Sequence, residues 1–131
     1  MRYTPELITS LQDNEVFVWA SNKSGINGAG SALMAMKWGA VYGNGFGRQG
    51  MTYAIPTKDY GISRTLRIDE IKPYVDGFIF YAEAKHELTF LVTKIGCGLA
   101  GYTVEDIAPL FKEAIGIPNI ILPYEFHELN K

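Results

Sequence analysis

Apolar positions along this chain follow two different periods, and the switches between them outline the fold. Val16 to Ala20 is an unbroken apolar run with β-branched and aromatic members. Such a run reads as a strand buried on both faces, hence a central one. Leu88 to Thr93 reads the same way, and Met51 to Ile55 (ending at Pro56) and Asn119 to Leu122 are shorter candidate strands. Elsewhere the spacing is helical. Ile68, Ile71, Val75, Phe78, Ile79 and Ala82 share one face of a predicted helix over Arg67 to Ala84, with Pro73 early in it, in a first turn or at a kink.

Three more helices are expected. Thr4 to Leu11 has Leu7, Ile8 and Leu11 at helical spacing behind a Thr-Pro start. Ala29 to Trp38 carries Ala32, Leu33, Ala35 and Met36 as a face for close packing on a sheet, with Gly39 as its stop. Thr103 to Ile115 opens with a Thr-x-x-Asp variant of the capping box and ends at Gly116. Gln12 to Asn14 reads as a turn. Tyr42 to Gly50 has four glycines in nine residues and is expected to be a mobile loop. The residues after Leu122 read as a polar tail. Alternating helices and strands predict an α/β fold: a three-layer α/β/α arrangement with a largely parallel or mixed sheet and helices on both faces.

Composition narrows this picture. With 131 residues, 47% of them hydrophobic and 20% charged, a single domain over 1–131 with a sizeable core is expected. The net charge of −2 argues against a nucleic-acid partner, which requires a basic face. A small anionic ligand needs only a helix terminus and a cation or two. Cys97 is the single cysteine, so no internal disulfide forms. His86 and His127 are far apart, and no zinc spacing or cofactor motif is present. With no secretory leader and no long apolar run, a cytoplasmic protein without a membrane partner is the expectation.

Candidate chemistry lies in the loops that follow strands. Ser21-Asn22 ends the first strand, and Gly25, Gly28 and Gly30 lead into the helix beginning at Ser31. A strand, glycine loop and helix N-terminus together aim backbone N–H groups at one spot, which suits a phosphate. The order of glycines fits neither the P-loop nor the dinucleotide fingerprint. Asn22 and Asn27 add amides able to meet a ribose hydroxyl. The plainer alternative is a tight turn capped by asparagines.

A second loop, Lys94 to Tyr102, again joins a buried strand to a capped helix. Its Gly96, Cys97, Gly98, Leu99, Ala100 and Gly101 would let backbone N–H groups curl around a diphosphate. Cys97 is also a conceivable nucleophile near a helix start, though a small buried thiol is the commoner case. Lys58 and Asp59 follow the candidate strand Met51 to Ile55. They offer a cation for phosphate and a general base, or else a solvated surface pair. Arg48 and Arg64 are further possible phosphate partners. All these segments would share one edge of the sheet if the strands run parallel, which is where open α/β sheets bind ligands.

The two loops resemble those of the macro domain, a family whose fold binds ADP-ribose, in its compact, divergent bacterial or phage form. The first resemblance is Ala20-Ser21-Asn22 followed by Gly25 to Gly30. The second and closer one is Gly98, Gly101 and Tyr102, in the places of a Ser-x-Gly-x-x-Gly-Tyr loop. The resemblance implies that Asn22 and Tyr102 approach the distal ribose. It places the diphosphate on the backbone of Gly28, Ala29, Gly30 and Ser31 and of Gly98 to Gly101. The family's Gly-Asp-Ile-Thr stretch, whose Asp reads adenine, is replaced here by Leu11-Gln12-Asp13-Asn14. The expected partner is a small nucleotide such as ADP-ribose. Hydrolysis of an ADP-ribosyl bond through Asp59 and Asn27 is one expectation, and a non-catalytic sensing or interaction module is the other.

Overall fold

The computed structural model describes residues 2–26, 30–62 and 64–131. Asn27, Gly28 and Ala29, expected in the first loop, lie outside them. The chain forms a five-stranded mixed sheet with helices. Its strands are β1 (Glu15–Asn22), β2 (Gly47–Gln49), β3 (Thr52–Lys58), β4 (Thr89–Val92) and β5 (Ile120–Ile121), in the order β2-β3-β1-β4-β5. β1 lies in the middle, parallel to both β3 and β4, with Phe17 opposite Thr52 on one side and Leu91 on the other. β5 is parallel to β4, and β2 runs antiparallel along the outer side of β3.

The unbroken apolar character of β1 follows from burial on both sides. Val16 and Val18 point into a large cluster with Ile55, Phe90 and Val92, closed by Ile71, Val75, Phe78, Ile79 and Ala82 of α2 (Ile68–Ala84). Phe17 and Trp19 alternate to the other face. There they meet Ala54, Leu91, Ile8 and Ala35 of α1 (Gly30–Lys37). Phe78 is fully buried, edge-on to Phe90 at 5.6 Å, so truncating it to Ala removes about 3–5 kcal/mol.

Several expectations are corrected. Residues 4–12 form no helix. Thr4 gives its N–H to the Leu122 carbonyl (2.9 Å) and its hydroxyl to that of Ile121 (3.0 Å), so the segment lies as a strap against the end of β5. Ile8 is buried while Leu7 is 74% exposed. A helix this short forms only when a whole face is buried, and here one side chain does the anchoring. In α1 the buried face centres on Ala35, with Ala32 and Met34 half-buried beside it. Leu33 and Met36 face outward.

The glycine-rich segment at 42–50 contains strand β2, and β3 continues through Pro56 to Lys58. Proline cannot donate to a ladder, and the β1–β3 register slips just past Pro56, between Ser21 and Asn22, as a bulge allows. Pro73 lies inside α2.

The helix expected over 103–115 is α only at α3 (Val104–Ile107). It then tightens to a 3-10 helix over Ala108–Ala114, because Pro109 cannot supply the next α-helical donor. The Thr103–Asp106 capping box is formed: Thr103 Oγ1 accepts from the Asp106 N–H at 3.2 Å and Asp106 Oδ2 from the Thr103 N–H at 3.0 Å. The tail contains a further helix, α4 (Tyr124–Glu128), whose Phe126 is buried and stacks on Phe111 at 5.4 Å. Among the described residues no helix is long and apolar enough to cross a membrane.

Candidate functional site

β1, β3 and β4 are parallel, so the chain leaves all three at the same edge of the sheet. A cleft of about 1070 Å³ opens there. It brings together Ser21, Asn22, Gly30, Ser31, Lys58, Gly96, Cys97, Gly98, Leu99 and Ala100, which the sequence places in three separate segments. Asp59, Gly101 and Tyr102 do not contribute to its walls.

The first corner is built by its own side chains. Asn22 is 8% exposed. Its Nδ2 donates to the Ile26 carbonyl (2.9 Å) and its Oδ1 accepts the Ile26 N–H (3.2 Å). The Asn22 carbonyl accepts the Gly25 N–H at 3.0 Å. The amide that the resemblance directs at a ribose therefore holds the turn. Ser21 gives its hydroxyl to the Gly45 carbonyl, and Gly43 N–H bonds the Gly25 carbonyl at 2.9 Å. The glycine-rich segment is thus clasped to the back of the corner.

The second loop leaves donors free. Gly96 (φ 79°) and Gly101 (φ 86°) take left-handed conformations that non-glycine residues adopt at a cost. Tyr102 N–H bonds the Gly96 carbonyl and Gly101 N–H that of Gly98, both at 3.0 Å. Between them, the N–H groups of Gly98, Leu99 and Ala100 meet no acceptor among the described residues. Consecutive N–H groups without a protein acceptor are the donor set that an anion-binding concavity uses. The Cys97 thiol points back to the Ile95 carbonyl at 3.6 Å. Burial pushes its pKa up, so it is held as a thiol, the weaker nucleophile. Tyr102 turns away from the cleft and donates its hydroxyl to the carbonyl of buried Leu66.

Two lysines line the cleft. Lys58 makes no ion pair among the described residues. Lys94 pairs with both Glu6 and Glu125. Asp59 is bound to Arg64 at 2.6 Å, lies 3.9 Å from Lys23 Nζ and accepts the Tyr60 N–H at 2.8 Å. The Arg64 hydrogen bond, above all, holds its carboxyl below the usual aspartate range. A carboxylate so paired is a poor proton acceptor. Arg48, on β2, bonds the Gly50 carbonyl and the Tyr81 hydroxyl, outside the cleft. The lining also has an apolar part: Leu7, Ile8, Phe17, Ile26, Met34 and Pro123. Sequence reading missed this lining because Leu7 and Ile8 come from the strap, whose spacing imitates a helix.

Among solved structures there is a match of fold. It is a protein of unknown function from Bacteroides thetaiotaomicron, aligned over 88% of each chain with a TM-score of 0.61 and 17% identity. At that identity the likeness concerns the α/β fold alone. No protein-family model matches the chain, and no curated protein matches its sequence.

Proposed function

We propose that the cleft binds a nucleotide diphosphate of the ADP-ribose class, and that the protein is a compact macro-like α/β/α domain acting as a binding module. One observation carries this reading. Among the described residues, the N–H groups of Gly98, Leu99 and Ala100 have no acceptor and Lys58 no ion pair, and these groups border a single cleft with the first residues of α1. Backbone donors, a cation and a helix N-terminus together complement a diphosphate. The apolar wall from Ile8 to Met34 suits a flat base. α1 has no acidic residue in its first turn, so nothing there repels the anion.

Binding without bond cleavage is favoured over hydrolysis because Asp59 stands outside the lining and is neutralised by Arg64. Asn22 acts in this reading by shaping the corner, not by touching ribose. Calorimetric titration of the purified protein with ADP-ribose, ADP and AMP tests it. Saturable heat with ADP-ribose and ADP, weakened in Lys58→Met, is the expected result. An absence of heat at millimolar ADP-ribose and ADP removes the reading. Incubation with an ADP-ribosylated protein separates module from enzyme, with retention and no released ADP-ribose expected.

A further inference from the structure

Lys94 stands just beyond β4, where the second glycine loop begins, and its ammonium makes two unlike ion pairs. One goes to Glu125 Oε2 at 2.9 Å, in the first turn of α4 and away from the cleft. The other goes to Glu6 on the strap, with Nζ at 3.0 Å from Oε1 and 3.3 Å from Oε2. Lys94 and Glu6 both line the cleft. The Glu6 side chain is 79% exposed. A pair that open to solvent holds weakly. A carboxylate with both oxygens on an ammonium presents nearly the charge and shape of two phosphate oxygens.

The strap does not depend on this pair for its position. Thr4 fixes it to the carbonyls of Ile121 and Leu122, and Ile8 is buried in the core on that face. Glu6 is therefore able to swing into solvent while the cleft wall stays in place.

We propose that Glu6 is a built-in anion occupying the place of a ligand phosphate on Lys94, and that ligand binding exchanges this carboxylate for a phosphate oxygen. Lys94 is then the second cation of the site, joining Lys58, and the Glu6 carboxylate lowers affinity for any anion by competing with it. The proposal rests on the nucleotide-diphosphate reading of the cleft and adds to it a competitor supplied by the chain itself.

Calorimetry with ADP-ribose and with inorganic pyrophosphate tests it on the full chain. Lys94→Met weakens both by about tenfold, the loss of a charge-assisted contact. Glu6→Gln strengthens both by about threefold, the scale of an exposed ion pair. In the double variant the gain from Glu6→Gln disappears, because the competitor acts only through Lys94. A purely structural pair behaves otherwise: Glu6→Gln then weakens binding or leaves it unchanged, and either result overturns the proposal. Undiminished binding by Lys94→Met overturns it as well. If the unaltered protein binds neither probe, the reading of the cleft fails first and this inference goes with it.

Discussion

The Ser21 hydroxyl donates to the carbonyl of Gly45, 24 residues further along the chain, and the bond is buried. The same glycine lies so close to the corner that a Cβ on it would sit 1.8 Å from the Asn22 carbonyl oxygen. The glycine-rich segment thus serves as the back wall of the first corner. Gly45→Ala is expected to lower stability by about 3 kcal/mol through backbone displacement, and Ser21→Ala by about 1–2 kcal/mol through the lost bond. Urea denaturation measures both. An unchanged midpoint for Gly45→Ala would contradict the close approach.

Gln49 holds that segment together. It is 4% exposed. Its Oε1 accepts the Val41 N–H at 2.7 Å and its Nε2 donates to the carbonyls of Asn44 (3.0 Å) and Phe46 (3.4 Å). Gln49→Leu leaves these groups without partners, at a cost of about 2–3 kcal/mol. Faster amide exchange at Val41 is the specific signature. Stability falling while that amide stays protected would point to some other cause.

Arg64 bridges Asp59 and Glu70, at 2.6 and 2.8 Å. Its hydrogen bond, followed by the Arg67 N–H, lowers the Glu70 carboxyl from its ordinary 4.5 to about 2. A carboxyl lowered on folding stabilises the native state fully above its unfolded value, and the gain fades as pH falls toward the folded one. Stability is therefore expected to decline as pH falls from about 5 through about 2. In Arg64→Gln that decline flattens. Parallel declines in both proteins would show that other carboxylates govern the acid limb.

Tyr102 bonds the Leu66 carbonyl and packs against the main core. Tyr102→Phe removes the donor and leaves a buried carbonyl unpaired, costing about 1–2 kcal/mol. Affinity for ADP-ribose is expected to stay within about twofold, since the ring stands outside the cleft. A large loss of affinity without loss of stability would place the hydroxyl on the ligand, as the resemblance implies.

What was legible along the chain was whatever depends on near neighbours or on total burial. The apolar runs at 16–20 and 88–93 marked interior strands because a strand covered on both faces has no polar positions to spare. The α2 face was readable from Ile68 to Ala82 for a similar reason. Short segments were not. Leu7, Ile8 and Leu11 have helical spacing, yet Thr4 finds its hydrogen-bond partners on Ile121 and Leu122 at the end of β5, 117 residues away in the case of its hydroxyl. Gly47 to Gln49 carries no strand signal of its own and becomes one only because β3 offers it an edge.

The glycine loops themselves were written in the sequence. Positive φ at Gly25, Gly96 and Gly101 is a local demand, and glycine meets it locally. What the loops enclose was decided by the tertiary structure. Parallel pairing put three strand ends on one edge and so made one cleft of three segments. It also chose among the polar residues. Asn22, Asp59 and Tyr102 each found a partner within the protein, while among the described residues the Lys58 ammonium has no ion-pair partner and the N–H groups of Gly98 to Ala100 no acceptor. Residue type sets what a group is able to bond. Only the approach of distant segments determines whether that capacity is satisfied inside the protein or left for a ligand.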